Sequence, residues 1–302
     1  MTLPREVLPG RSYFITRRCT QRQFLLRPDA KTNQALLYCL AVAVERYEME
    51  LYWLGTLSNH YHGGIGDPRG HYPEFIAYFH RLLAKLLNAR WRRTENLWAS
   101  EQTSVVVLCS PEDAFDKMIY SLANPVQADV VDRAVHWPGA SSLRAQLTGQ
   151  PLRLRRPSWF FRADGEMPEE VELRLTRLPG FEHLSEAQWR ERIVAALAEQ
   201  EHVAARRRRA QGIRVLGRKT VLRQSHLTVP RRRERRRQLR PRVAGRNAQQ
   251  RREALERIAE FVRRYRAAYR KLQAGHGRVR FPAGTYQLKV RGLVRVAAAP
   301  PT

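Results

Sequence analysis

Glu48-Met49-Glu50-Leu51-Tyr52-Trp53-Leu54-Gly55-Thr56-Leu57-Ser58-Asn59-His60-Tyr61-His62-Gly63-Gly64-Ile65-Gly66 is the stretch whose reading decides the fold. Its first half is aromatic, aliphatic and β-branched and predicts a strand over 48–57. The polar pair Ser58-Asn59 suits a tight turn, and a third strand follows over 60–66. Side chains alternate across a strand, so His60 and His62 project from one face and both imidazoles can reach one divalent ion. A central strand seldom carries two polar rings without giving them partners. The other reading of the pair is a hydrogen-bonded structural role.

Outward from this hairpin the periods alternate. Upstream, Tyr13, Phe14, Ile15 and Thr16 predict a strand over 12–19, and Pro28-Asp29 opens a helix running to about Arg46. Downstream, Phe75, Ile76, Phe79, Leu82, Leu83, Leu86 and Leu87 recur near helical spacing over 73–92, and a β-branched strand follows over 103–108. Ser110-Pro111-Glu112-Asp113 is a helix start with a capping hydroxyl, an early proline and acids in the first turn. That helix is expected to stop near Ala123, ahead of Pro125. The order β-α-β-β-α-β plus a helix predicts an α+β fold, a ferredoxin-like split βαβ unit whose antiparallel sheet carries its helices on one face.

Tyr120 and Asn124 are four residues apart on the last helix and share a face. A helical tyrosine beside Ile119 and Leu122 ordinarily packs in a core. Beside an ion held by two histidines, its phenol becomes a candidate nucleophile for a phosphodiester. Asn124 reads equally as a third ligand through its carbonyl oxygen and as the stop signal that Asn-Pro spells.

Charge divides the 302-residue chain. Up to position 200 there are 25 Lys and Arg against 23 Asp and Glu; afterwards there are 30 against 5, and the whole carries +27. So concentrated a positive charge calls for a polyanion, and the basic stretches lack the broad apolar face of a membrane-lying helix, which leaves nucleic acid. No apolar run is long enough to span a bilayer and the first residues do not resemble a secretory signal, so a soluble, cytoplasmic location is expected. Cys19, Cys39 and Cys109 follow neither a disulfide nor a zinc pattern and read as reduced thiols.

The expected organisation is a nuclease domain over 1–148, an irregular linker over 149–184, and a basic, mainly helical extension over 185–302. Ser185 with Gln188 spells a capping box for a helix ending in Arg206, Arg207, Arg208 and Arg209. A second long helix, from Asn247 to just before Gly275, carries the apolar stripe Leu255, Ile258, Val262, Tyr265, Tyr269 and Leu272. Arg206 to Arg209, and Arg231, Arg232 and Arg233 in the run that follows, are the candidate phosphate contacts, with Arg17 and Arg18 on the first strand expected to meet DNA across the sheet.

These residues together resemble the single-tyrosine HUH transposases of the IS200 type, and more narrowly the REP-associated tyrosine transposases. The family's Asn-His-hydrophobic-His motif matches Asn59 to His62, its Tyr-x-x-x-Asn-Pro-Val segment matches Tyr120 to Val126, and its Trp-Pro-x-x-Ser element matches Trp137 to Ser141. The resemblance covers about residues 9 to 148. Tyr61 stands where the family usually has an aliphatic residue, and Gly63-Gly64 where it has an aliphatic pair. The resemblance implies a Mg²⁺- or Mn²⁺-dependent enzyme that cuts single-stranded, hairpin-forming DNA, keeps the 5′ phosphate on Tyr120 and releases a 3′ hydroxyl. His60 and His62 would be metal ligands and Asn124 the helix-borne third ligand; monomer and homodimer both stay open. The alternative is a non-catalytic nucleic-acid binder on the same fold, and a more distant one is an RNA- or ribosome-associated factor.

Overall fold

In the computed structural model, which describes residues 4–230 and 241–299, β1 (Arg11–Arg18) leads through α1 (Ala30–Arg46) to the hairpin of β2 (Glu50–Leu57) and β3 (His60–Asp67). α2 (Tyr72–Trp91), β4 (Ser104–Leu108) and α3 (Pro111–Gln127) follow. The strands lie in the order β2-β3-β1-β4, each antiparallel to its neighbour. The class is α+β, a mostly antiparallel sheet clothed in helices. β3 is thus central, and Thr16 of β1 and Gly55 of β2 flank His62 in register.

The expectation that helices lie on one face is corrected, because both faces of the sheet are apolar. Tyr13, Ile15, Leu51, Tyr61 and Ile65 pack with α1 and α2 on one side, while Phe14, Tyr52, Trp53 and Val106 pack with α3 on the other. A bulge in β2 between Leu51 and Trp53 inserts an extra residue, which lets the consecutive Tyr52 and Trp53 face the same way. Gly64 is required opposite them, since a Cβ there would stand 2.0 Å from the Trp53 ring. The free edge of β2 is covered by the chain around Trp137 to Ser142: Thr56 donates to the Ala140 carbonyl, and the Ser142 hydroxyl accepts from the Leu54 amide.

Segment 149–184 is not an irregular linker. After α4 (Leu143–Thr148), β5 (Leu152–Arg155) and β6 (Glu170–Leu173) form an antiparallel hairpin that buries Val171 and Leu173 with α1. The basic region is equally integrated. α5 (Glu186–Gln211) sets Trp189, Ile193 and Leu197 into the core beneath α3. After α6 (Arg218–Arg223), β7 (Val243–Ala244) adds to β4 as a parallel fifth strand, ahead of α7 (Ala248–Gln273). Residues 212–229 run from the end of α3, where the Leu216 amide donates to Asp129, to the start of the chain, where the Phe24 amide donates to Thr228. The expected boundaries at 148 and 184 therefore divide one continuous packing arrangement. No helix among the described residues is long and apolar enough to cross a membrane.

On the α1–α2 face, the Tyr61 hydroxyl and His80 Nε2 share a hydrogen bond of 2.6 Å, and both rings are buried against Trp98. Burial, then the Arg17 charge, pulls the His80 pKa down to about 3. The unfolded chain binds a proton near pH 6.5 that folded His80 refuses until pH 3. Its contribution to stability is therefore full above that upper value and falls as pH drops, by about 1.4 kcal/mol per pH unit. Urea unfolding between pH 6 and 4 should show this contribution as the part of the slope that His80→Leu removes, with the part due to buried His62 left in place.

Candidate active site

His60 and His62 open β3 on the face that α3 covers, and their ring centroids are 4.9 Å apart. His62 stacks on Phe14 at 5.4 Å and meets the edge of Tyr120 at 5.5 Å. The strand-borne pair and the helix-borne phenol, predicted from separate stretches of sequence, are brought together. Tyr120 is 43% exposed, so the helix presents its ring at the surface beside His62 instead of in the core. Asn124 is half-buried one turn further on.

α3 does not stop at Ala123. It continues through Pro125 to Gln127, so Asn124 sits inside the helix, and its reading as a terminator falls away. Pro125 has no N–H to offer the Ser121 carbonyl one turn back. That carbonyl faces Gly55, where a Cβ would lie 2.5 Å from it. Backbone therefore meets backbone where α3 crosses β2. The crossing is pinned by the Ser121 hydroxyl, which donates to the Lys117 carbonyl at 2.6 Å and accepts from Trp53 Nε1 at 3.1 Å.

The state of the two imidazoles follows from their partners. Asn59 Nδ2 donates to the Arg22 carbonyl at 3.2 Å, which turns Asn59 Oδ1 toward His60 Nδ1 at 2.7 Å. An amide oxygen only accepts, so His60 carries its proton on Nδ1, and in the neutral ring Nε2 holds the lone pair. His62 Nδ1 is 2.8 Å from the Thr16 hydroxyl, and its Nε2 is buried with no hydrogen-bond partner. Burial, reinforced by His60, Arg18 and Lys117, holds the His62 pKa well below the ordinary histidine value, so the ring is neutral. A proton on Nδ1, donated to Thr16, leaves the buried Nε2 as a donor atom for a cation. These features fit a metal. Among the described residues no group of three His, Cys, Asp or Glu gathers to hold a metal, and Asn124, one turn after Tyr120 on α3, is a neutral donor on the same face of that helix.

The candidate phosphate contacts divide. Arg18 is exposed and lies opposite His60 in the β1–β3 pairing, on the side of the site. Arg17, expected to face DNA there, alternates to the other face of the sheet, over the Trp98 ring and bonded to the Glu101 carbonyl. Arg206 and Arg209 are exposed. Arg207 and Arg208 turn inward: Arg207 donates to the Gln127 carbonyl at 3.0 Å and pairs with Asp129, while the buried Arg208 donates to the Val126 carbonyl at 3.3 Å. Those are carbonyls at the end of α3, where the helix dipole favours cations, so these two arginines anchor the helix that carries Tyr120. Arg231, Arg232 and Arg233 fall outside the described residues. Lys117, whose ammonium lies 5.8 Å from the Tyr120 ring centroid, was not singled out from sequence, although its position one turn before Tyr120 could have signalled it.

The fold and site thus define an α+β protein with a paired-histidine recess faced by an exposed tyrosine. No protein-family model matches the sequence, and neither does any curated protein. Among solved structures, a REP-associated tyrosine transposase bound to a REP hairpin is similar at 18% identity and a TM-score of 0.41, covering 57% of this chain and 98% of that one. A candidate transposase from Deinococcus radiodurans R1 is similar at 17% identity and a TM-score of 0.28, covering 35% of this chain and 85% of that one. Overlaps this partial carry no functional argument.

Proposed function

We propose that the protein is a metal-dependent endonuclease and strand transferase for single-stranded, hairpin-forming DNA, built on a ferredoxin-like split βαβ unit and working through a 5′-phosphotyrosine. The observation that carries this reading is the convergence of the exposed Tyr120 ring on His62, whose buried Nε2 lacks a partner beside the second imidazole. His60 and His62 would hold the ion, with Asn124 as third ligand. Mg²⁺ or Mn²⁺ bound there would supply Lewis acidity to the phosphate, and two imidazoles suit Mn²⁺ better than the oxygen-seeking Mg²⁺.

Tyr120 Oη attacks the phosphorus; the Oη–P bond forms and the P–O3′ bond breaks. The phenol proton leaves to water, and the released O3′ takes a proton from water to become a 3′ hydroxyl. Attack by a different 3′ hydroxyl reverses these steps and rejoins DNA without ATP, because the ester to tyrosine retains the bond energy. Exposed Arg18, Arg206 and Arg209 supply phosphate contacts, which makes binding salt-sensitive. The +25 charge after position 200 keeps the strand close.

The test is incubation with end-labelled hairpin DNA bearing single-stranded flanks, with and without Mn²⁺ or Mg²⁺, followed by a denaturing gel. A metal-dependent protein–DNA adduct is expected. Salt-sensitive binding with no adduct under either ion would leave only a nucleic-acid binder.

A related expectation concerns Asn59, which orients His60 through Nδ1. Asn59→Ala should raise the Mn²⁺ concentration needed for half-maximal adduct by about 10- to 100-fold, the usual cost of losing a partner that orients a ligand. The rate at saturating Mn²⁺ should change far less.

A further inference from the structure

Lys117 stands in the recess with no ascribed task. It is half-buried on α3, one turn before Tyr120, and its ammonium lies 5.8 Å from the centroids of both the Tyr120 and Phe14 rings. Phe14 stacks on His62, so the amine, the phenol ring and an imidazole border one space. The acids nearest in sequence are engaged elsewhere. Asp116 pairs with Arg246 at 2.6 Å, and Asp113 accepts from the Ser110 hydroxyl and from the Arg246 amide. Among the described residues Lys117 forms no ion pair with a carboxylate.

A lysine covering an apolar ring normally carries its ammonium out to water. Here the ammonium lies within cation–π range of both the Phe14 and the Tyr120 rings. Arg18, opposite His60 in the β1–β3 pairing, adds a second positive charge on this side of the sheet. The recess thus combines cations with neutral ligands, a distribution suited to a phosphodiester that gains negative charge as its phosphorus is attacked.

We propose that Lys117 is a further catalytic residue, whose ammonium contacts a non-bridging oxygen of the scissile phosphate while Tyr120 attacks. This rests on the function proposed above. Lys117 neither gives nor takes a proton, and the bond changes are those already described. Its contribution is to the charge that develops on phosphorus, as with the donors of an oxyanion hole.

Two measurements on the full-length chain test this. In the first, single-turnover adduct formation in Mn²⁺ should slow by about 10²- to 10³-fold in Lys117→Met, the cost of removing one such donor, with Lys117→Arg recovering most of the loss. In the second, the Tyr120→Phe chain is bound to two oligonucleotides that differ only at the mapped cleavage linkage, one phosphate and one neutral methylphosphonate. Lys117 should contribute about tenfold to the preference for the phosphate, the value of a charge-assisted hydrogen bond, and Lys117→Met should lower that preference by the same factor. Binding of the methylphosphonate itself, unchanged by the substitution, verifies that the variant is folded. Cleavage by Lys117→Met at the wild-type rate, or an undiminished preference for phosphate, overturns the Lys117 assignment alone. A wild-type chain that forms no adduct overturns the assignment together with the function it rests on.

Discussion

Tyr120→Phe is expected to abolish the covalent protein–DNA adduct, by on the order of 10⁴-fold or more, while hairpin binding stays within about threefold of wild type. The substitution removes one oxygen and leaves the ring. The edge contact with His62 and the ammonium near the ring face are both made by ring atoms, so the packing of α3 is unaltered. With the side chain 43% exposed, the loss of its hydroxyl should cost within about 0.5 kcal/mol of stability. No other nearby tyrosine can substitute. Tyr61 lies on the opposite face of β3 with its hydroxyl committed to His80, and Tyr13 and Tyr52 are buried, with phenol pKa values pushed well up mainly by that burial. A denaturing gel reads the adduct and fluorescence anisotropy reads the binding. An adduct of undiminished yield in Tyr120→Phe would place the nucleophile elsewhere.

The parts of this site legible in the sequence were those set by local periodicity. Alternation along β3 puts His60 and His62 on one face whatever surrounds them, and the four-residue spacing does the same for Tyr120 and Asn124 on α3. Their convergence depends on which face of the sheet α3 covers, and there the local signals misled. A strand buried on both sides has no polar face to mark it, and the bulge at Tyr52 breaks the alternation that would have shown two apolar surfaces. The arginine run shows the same limit. Charge density cannot tell Arg206 and Arg209, which face water, from Arg207 and Arg208, which neutralise the carbonyl end of a helix some 80 residues earlier. Pro125 misled because a proline removes one helical hydrogen bond and crowds its i−4 carbonyl without having to end the helix. Here that carbonyl abuts a glycine from a distant strand. Of the hairpin β5–β6 the sequence offers a strand over 171–178, which overlaps β6, but not its partner β5, whose 4 residues are too few for a period to show.

Gly55 supplies the second large expected effect, since it sets the distance between the two halves of the site. Gly55 pairs with His62 across the β2–β3 ladder, so it stands directly beside a proposed ligand. A Cβ added there would lie 2.5 Å from the Ser121 carbonyl oxygen, 3.0 Å from its carbon and 3.3 Å from the Ser121 Cβ. Two of those three atoms are backbone and cannot rotate away, so Gly55→Val must push α3 off the sheet at the residue following Tyr120. Movement of α3 there also stretches the Trp53–Ser121 hydrogen bond of 3.1 Å that ties the helix to β2. The expected cost in stability is about 1–3 kcal/mol, typical of overpacking, which leaves a folded chain to assay. A displacement of about 1 Å between nucleophile and phosphate slows a positioned reaction by roughly 10²-fold, and adduct formation at saturating Mn²⁺ should fall by at least that much. Gly55→Ala should act in the same direction with a smaller loss. His60 and His62 lie on β3, which the substitution does not push, whereas Asn124 moves with α3, so any rise in the Mn²⁺ concentration for half-maximal rate reports that displacement and the rate is read at saturating Mn²⁺. Single-turnover cleavage, with urea unfolding to confirm a folded chain, separates the two effects. If folded Gly55→Val cleaves at the wild-type rate, the close crossing of β2 and α3 does not position Tyr120, and the reaction does not depend on the distance between that helix and the histidine-bearing strand.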